Sequence, residues 1–136
     1  MANVIPKKVK RDIVDGYAAE TLYACLLTNL FPNTPGAYDV YGDLTNEVPN
    51  GSGYATEGKI LAGAAGSYVD TYNGKLDATD VAWTSATFAN VRFVAVYDYT
   101  SKDIRAIYDL GADKSVTAGT FTVEWSTSGL MKVSST

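Results

Sequence analysis

Apolar and polar positions along the chain sort it mainly into strands. Residues 21–27, T-L-Y-A-C-L-L, are apolar on both alternating faces, as in a strand covered on both sides. Length alone also admits a helix there. Residues 91–97, V-R-F-V-A-V-Y, share this pattern and predict a central strand. Residues 80–84 and 104–110 read as two further strands. Residues 120–125 alternate cleanly, with Phe121, Val123 and Trp125 inward and Thr120, Thr122 and Glu124 outward. A short last strand is expected over 129–133. Residues 13–21 are ambiguous, because Gly16 weakens a helix. Residues 1–12 read as an extended arm, since Pro6 and a cluster of charges disfavour an early regular element.

Turn chemistry separates these segments. Pro32-Asn33-Thr34-Pro35-Gly36 is a loop, Asn73-Gly74 is a favoured hairpin pair between 68–70 and 75–77, and Asp98 to Asp103 is a hairpin loop. Strands recurring between such signals predict an all-β fold: one antiparallel β-sandwich domain, jelly-roll-like, over 13–136 with the basic arm over 1–12. The stretch 47–63, E-V-P-N-G-S-G-Y-A-T-E-G-K-I-L-A-G, tests this reading. Gly53, Gly58 and Lys59 fit the spacing of a phosphate-binding loop. Ile60 stands where that loop needs Ser or Thr, no buried strand precedes it, and Gly63 and Gly66 interrupt the segment where its helix would run. Turns that need positive φ explain these glycines better.

Composition narrows the chemistry. The chain of 136 residues fits one domain and contains no histidine and one cysteine, Cys25. Ser-His-Asp catalysis, Cys-His catalysis and an ordinary zinc site cannot be assembled from it. Cys25 lies in an apolar run and is expected in the core. No apolar run approaches the roughly 18 residues of a membrane span. The start of the chain lacks the apolar segment of a signal peptide, which predicts a protein made and used without crossing a membrane. The net charge is -4, unevenly placed. Lys7, Lys8, Lys10 and Arg11 are cationic, while the rest of the chain is acidic, a poor arrangement for binding duplex DNA. The arm reads as a solvated tail, as a strap on an acidic neighbouring subunit, or as a contact for nucleic acid.

Ten tyrosines are many for this length. Tyr17, Tyr38, Tyr41, Tyr54, Tyr72 and Tyr99 flank loops. They could serve sheet faces and core edges, a protein interface, or a glycan surface. The pairs Asp39/Asp43, Asp77/Asp80 and Asp109/Asp113 lack the spacing of a calcium loop, and solvated turn carboxylates are the simpler reading.

Four segments recur together in a known group. They are G-S-G-Y-A-T-E-G-K-I-L-A-G (51–63), D-A-T-D-V-A-W-T-S-A-T-F (77–88), F-V-A-V-Y-D (93–98) and A-I-Y-D-L-G-A-D-K-S-V-T-A-G-T-F-T-V-E-W (106–125). With the closing S-T-S-G-L-M-K-V (126–133), the chain resembles short structural proteins of tailed bacteriophages over roughly 21–133. It departs from their pattern at Glu57-Gly58, where they carry two glycines. The resemblance implies a β-sandwich virion protein, assembled in the bacterial cytoplasm, with no enzymatic activity and no cofactor or metal. A head decoration or cement protein is the leading expectation, with a neck, tail or fibre-base component, possibly glycan-binding, as the alternative. The implied partners are the major capsid protein or other virion proteins and further copies of the chain, a trimer first, rather than nucleic acid or membrane. Lys7, Lys8, Lys10, Arg11, Tyr17, Tyr38 and Tyr41 are the residues expected to bind them.

Overall fold

The computed structural model describes residues 7–68, 74–125 and 131–133. One helix, α1 (Lys7–Ala18), precedes β1 (Leu22–Thr28), a 3-10 turn (Tyr41–Asp43), β2 (Lys59–Ile60), β3 (Ala65–Tyr68), β4 (Gly74–Asp77), β5 (Val81–Asp98), β6 (Ile104–Val123) and β7 (Met131–Val133). The chain is therefore mostly β. The strands form two antiparallel sheets, ordered β2-β1-β5-β6 and β3-β4-β7.

β1 and the second half of β5 are central, as their doubly apolar pattern requires. Leu22, Ala24 and Leu26 face one cluster, which also holds Val48, Tyr54, Leu61, Leu76, Val81, Trp83, Val94, Val96, Phe121 and Val123. Cys25 and Leu27 face a second, with Phe31, Phe93, Ala95 and Tyr97. Each fully buried Leu, Val or Phe contributes roughly 1.5–3 kcal/mol. The first cluster draws on both halves of the β5–β6 hairpin, so the hairpin covers its own central part. The second cluster is closed by the loop after β1, through Tyr38, Tyr41 and Leu44.

Three expectations change. The four strands expected over 80–125 are two long ones, paired from Val81↔Val123 to Tyr97↔Ile104. Ser85, Asn90, Gly111 and Ala118 have positive φ and look like turns locally, but here they sit beside bulges where the register shifts. Side chains satisfy the amides freed there: Asn90 N–H donates to Ser115 Oγ (3.2 Å), Ala118 N–H to Thr87 Oγ1 (2.9 Å) and Gly111 N–H to Asp109 Oδ1 (2.8 Å). The ladder continues without closing a turn. Second, β3 and β4 pair, but Gly74 is already a strand residue opposite Tyr68. Residues 69–73, with Asn73 of the expected turn, lie outside the described residues.

Third, residues 7–12 are not an extended arm but the start of α1, which crosses the expected boundary at residue 12. Residues 1–6 lie outside the described residues. No acidic residue sits in the first turn of α1 to complement its dipole. The Lys8–Asp12 pair, four residues apart at 2.7 Å, is exposed and contributes about 0.3–0.5 kcal/mol. Packing holds the helix instead: α1 lies against β3, β4 and β7, and Tyr17 and Ala18 join the first cluster.

Gly58 fixes how the 47–63 stretch meets β1. Its φ is +86°, and a Cβ there would lie 2.0 Å from the Ala24 carbonyl oxygen, in the backbone of a buried strand. Gly58→Ala is expected to lose about 3 kcal/mol or more in urea denaturation, combining the left-handed conformation with a clash that β1 cannot relieve. Gly36→Ala, with φ +75° but nothing within 4 Å, should lose only about 1–2 kcal/mol. Equal losses would show that the close approach to Ala24 does not matter.

Candidate functional site

The densest group of polar and aromatic side chains surrounds Glu47. Its half-buried carboxylate accepts the Tyr41 hydroxyl, the Tyr54 hydroxyl (2.5 Å) and the Glu57 amide (2.9 Å). The Tyr54 oxygen also accepts the Leu26 amide at 3.0 Å. The outward backbone of β1 is thus paired by a side chain where no strand reaches it. Next to this hub, Tyr97 donates its hydroxyl to the Glu57 carbonyl (2.5 Å), and the Lys102 ammonium lies 3.2 Å from the Glu57 carboxylate. Lys102 also sits 3.6 Å from the centroid of Tyr99. Tyr99 stacks on Tyr23 at 4.3 Å, and Tyr41 on Tyr97 at 4.9 Å.

Electrostatics hold these phenols neutral. Burial pushes Tyr41, Tyr54 and Tyr97 well above the ordinary phenol range. The hydrogen bond to Glu47 adds to this for Tyr41 and Tyr54, and the negative charge of Glu57 for Tyr97. Burial also raises the Cys25 thiol, with Glu47 adding to it, so Cys25 is a core residue and a poor nucleophile. Each hub hydroxyl donates to an acceptor within the fold, so the hub is built to hold the 41–58 segment against β1 rather than to move protons.

The stretch that resembled a phosphate loop serves the same end. Lys59 opens β2, not a helix, and its ammonium donates to the Ala82 carbonyl (2.5 Å). The carboxylate pairs are likewise absorbed locally. Asp43 accepts the Asp39 and Val40 amides (3.0 and 3.2 Å), which hold its carboxyl below the usual range. Asp80 accepts the Trp125 amide (3.0 Å), and Asp77 the Ala78 amide (2.9 Å). Asp109 pairs with Arg92 (2.6 Å), and Asp113 accepts from Asn29 (2.8 Å). Among the described residues no three His, Cys, Asp or Glu side chains gather as a metal site would require.

The residues expected to bind a partner fall in three places. Lys7, Lys8, Lys10 and Arg11 lie in the first half of α1, with Lys8 exposed. Tyr38 and Tyr41 converge on the second core cluster: Tyr38 packs 4.8 Å from Phe31 and accepts the Thr34 amide (3.1 Å). Tyr17 stands apart, with the Arg105 guanidinium 4.8 Å from its ring and Arg105 held by Glu20 at 2.5 Å. Tyr54 is buried, and Tyr72 lies outside the described residues. Sequence reasoning missed Glu47, Glu57, Lys102 and Ile60. Ile60 is 53% exposed opposite Tyr23, and with Tyr99, 39% exposed, it extends an apolar patch at the β2 edge of the larger sheet. No protein-family model, curated protein or solved structure matches the chain.

The hub has two measurable consequences. Glu47→Gln replaces a charged acceptor of three hydrogen bonds by an amide and is expected to lose about 1–3 kcal/mol in denaturant melts. A loss below about 0.5 kcal/mol would show that the hub does not hold the loop. Phenols with raised folded values stabilise the fold fully below the unfolded value, about 10. That stability is lost as pH rises through the folded values. Tyr108, raised by burial to about 12, has the same sign. Stability should therefore fall steeply above pH about 10, with part of the tyrosinate absorbance appearing only on unfolding. Complete tyrosinate formation in a protein of unchanged stability would overturn this.

Proposed function

We propose that the chain is a non-enzymatic structural protein of a tailed-phage virion: a decoration or cement protein, with a jelly-roll-type β-sandwich, that lies on the outer head over junctions of capsid subunits. The observation that carries this reading is the ordered series of motifs over 51–125. The aromatic and apolar residues of that series form the framework. Tyr54, Trp83, Tyr97, Phe121 and Val123 are all buried, so the likeness rests on residues that build the fold. The polar chemistry is in keeping with it. Phenols, carboxylates and the thiol at the hub are tied to the fold, and the exposed Ile60–Tyr23–Tyr99 patch has the composition of a protein contact.

In this reading the basic half of α1 replaces an extended arm as the charged contact. It meets acidic capsid surface, and the aromatic patch adds apolar area. Repetition over a symmetric shell makes modest single contacts sufficient. Gold-labelled antibody against residues 12–136 should decorate the whole head of the parent virion in electron micrographs. Label confined to neck or tail, or its absence, would overturn the head assignment. Replacing Lys7, Lys8, Lys10 and Arg11 together by Glu should leave the thermal melt within a few degrees. It should reduce binding to particles lacking the protein at least tenfold; unchanged binding would remove α1 from the contact.

A further inference from the structure

One pair of residues in the 47–63 stretch carries reactivity of its own. Asn50 is followed by Gly51, and both are exposed to water. Glycine puts no side chain beside its amide nitrogen, so in an open chain that nitrogen can attack the side-chain amide of the preceding asparagine. A base takes the Gly51 amide proton, an N–Cγ bond forms, the Cγ–Nδ2 bond breaks, and ammonia leaves. Water then opens the cyclic imide. Addition at Cγ gives aspartate at this position. Addition at the backbone carbonyl gives isoaspartate, whose main chain runs through Cγ and is one carbon longer. Water is the only co-reactant consumed, and nothing is oxidised or reduced.

The fold ties down both reacting groups. Gly51 N–H donates to the Tyr54 carbonyl (2.7 Å), and Tyr54 N–H donates back to the Gly51 carbonyl (3.1 Å). A proton held in a hydrogen bond is harder to remove, because the bond favours the protonated form. Asn50 Oδ1 accepts the Thr56 amide at 3.1 Å, which fixes its side chain across the turn. Alone, that bond would polarise the Asn50 amide toward attack. The engaged nucleophile decides the matter, since no ring closes until Gly51 is released. The turn has little room to shift. Gly51, Ser52 and Gly53 all have positive φ, and the Ser52 carbonyl accepts the Thr87 amide of β5 (2.9 Å). A Cβ on Gly53 would lie 2.8 Å from the Ala86 Cα. Upstream, Val48 N–H donates to the Leu26 carbonyl of β1 (2.9 Å).

We propose that Asn50–Gly51 is a self-modifying site that the Glu47 hub keeps silent, and that it turns local opening of the 47–58 segment into a covalent change. Reaction requires the Gly51–Tyr54 pair to part. Its rate in the folded protein is therefore the open-chain rate multiplied by the fraction of time the turn is open. Glu47 sets that fraction. The residue whose backbone holds Gly51 is Tyr54, and Glu47 holds Tyr54 through its hydroxyl (2.5 Å) and the far end of the turn through the Glu57 amide (2.9 Å). The change does not reverse when the segment recloses, and the longer main chain of isoaspartate has to be fitted into a turn already fixed to β5 at Ser52. The chain carries the same dipeptide at Asn73–Gly74, which serves as a reference for the chemistry. The site does not depend on the virion reading.

Peptide mapping by mass spectrometry, with isoaspartate resolved by chromatography, tests this on the full chain at mildly alkaline pH. In urea that unfolds the protein, Asn50 should convert readily, as Asn73 does. In native buffer Asn50 should convert at least about tenfold more slowly than in urea. Glu47→Gln should speed the native reaction at least about fivefold and leave the rate in urea unchanged. No conversion in urea, a native rate equal to the unfolded one, or a native rate insensitive to Glu47→Gln would each overturn the proposal. If the variant fails to fold by circular dichroism, the native protein in urea below its unfolding transition decides. There the Asn50 rate should rise less steeply with urea than the global unfolding constant, because a local opening exposes less surface. Equal steepness would mean that only global unfolding frees the site, and would overturn the proposal.

Discussion

Two adjacent strands, β1 and the second half of β5, are apolar on both faces and cannot be left open to water on either. Most of the fold answers that constraint. One face receives the other half of the β5–β6 hairpin together with Val48, Tyr54, Leu61 and Leu76. The other receives the long loop after β1, which brings Phe31, Tyr38, Tyr41 and Leu44. The first cover is a sheet with its own ladder. The second is a loop with little regular structure, and its position has to be secured by side chains.

Glu47 secures it. A loop laid over a buried strand leaves backbone groups that need partners, and an unpaired buried group costs roughly 1–3 kcal/mol. The Leu26 amide would be such a group, and the Tyr54 hydroxyl accepts it. Tyr54 then needs an acceptor for its own proton, and Glu47 supplies one while also receiving Tyr41 and the Glu57 amide. Gly58 allows this segment to approach Ala24 more closely than any side chain would permit. The glycines, the tyrosines and the one carboxylate of this region therefore solve a single packing problem. This explains why a stretch with the spacing of a phosphate loop carries no such loop.

The parts of the fold legible in the sequence are those where local pattern and tertiary role agree. β1, the central run of β5, the alternation of Phe121 and Val123, and the Asp98–Asp103 loop are all of this kind. In that loop burial pulls the Asp98 carboxyl up. Hydrogen bonds from the Ser101 hydroxyl and the Thr100 and Ser101 amides, with Arg105 nearby, outweigh this and hold it below the usual range. The misread parts are those where a distant partner decides. Ser85, Asn90, Gly111 and Ala118 carry turn-like backbone, and side chains such as Thr87 and Ser115 keep them inside one hairpin. α1 has cations where its dipole disfavours them and a glycine in its last turn, and only its packing on the smaller sheet makes it a helix. Glu47 was illegible as a site because nothing adjacent in sequence shows that Tyr41 and Tyr54 converge on it.

The edges of the larger sheet are unequal for a related reason. On the β2 side the chain returns over β1 and pairs its outward groups, through Leu61, Val48 and the Tyr54 hydroxyl. On the β6 side only the first residues are met, by Asp39 and Val40, before the loop turns inward to cover the second cluster. The loop can cover the face of the sheet or continue along its edge, and the doubly apolar strands commit it to the face. The open backbone at Ile107 and Asp109 is thus a consequence of the same constraint that organises the core. Bulges at Arg105 and around Gly111 confine that opening to a short run.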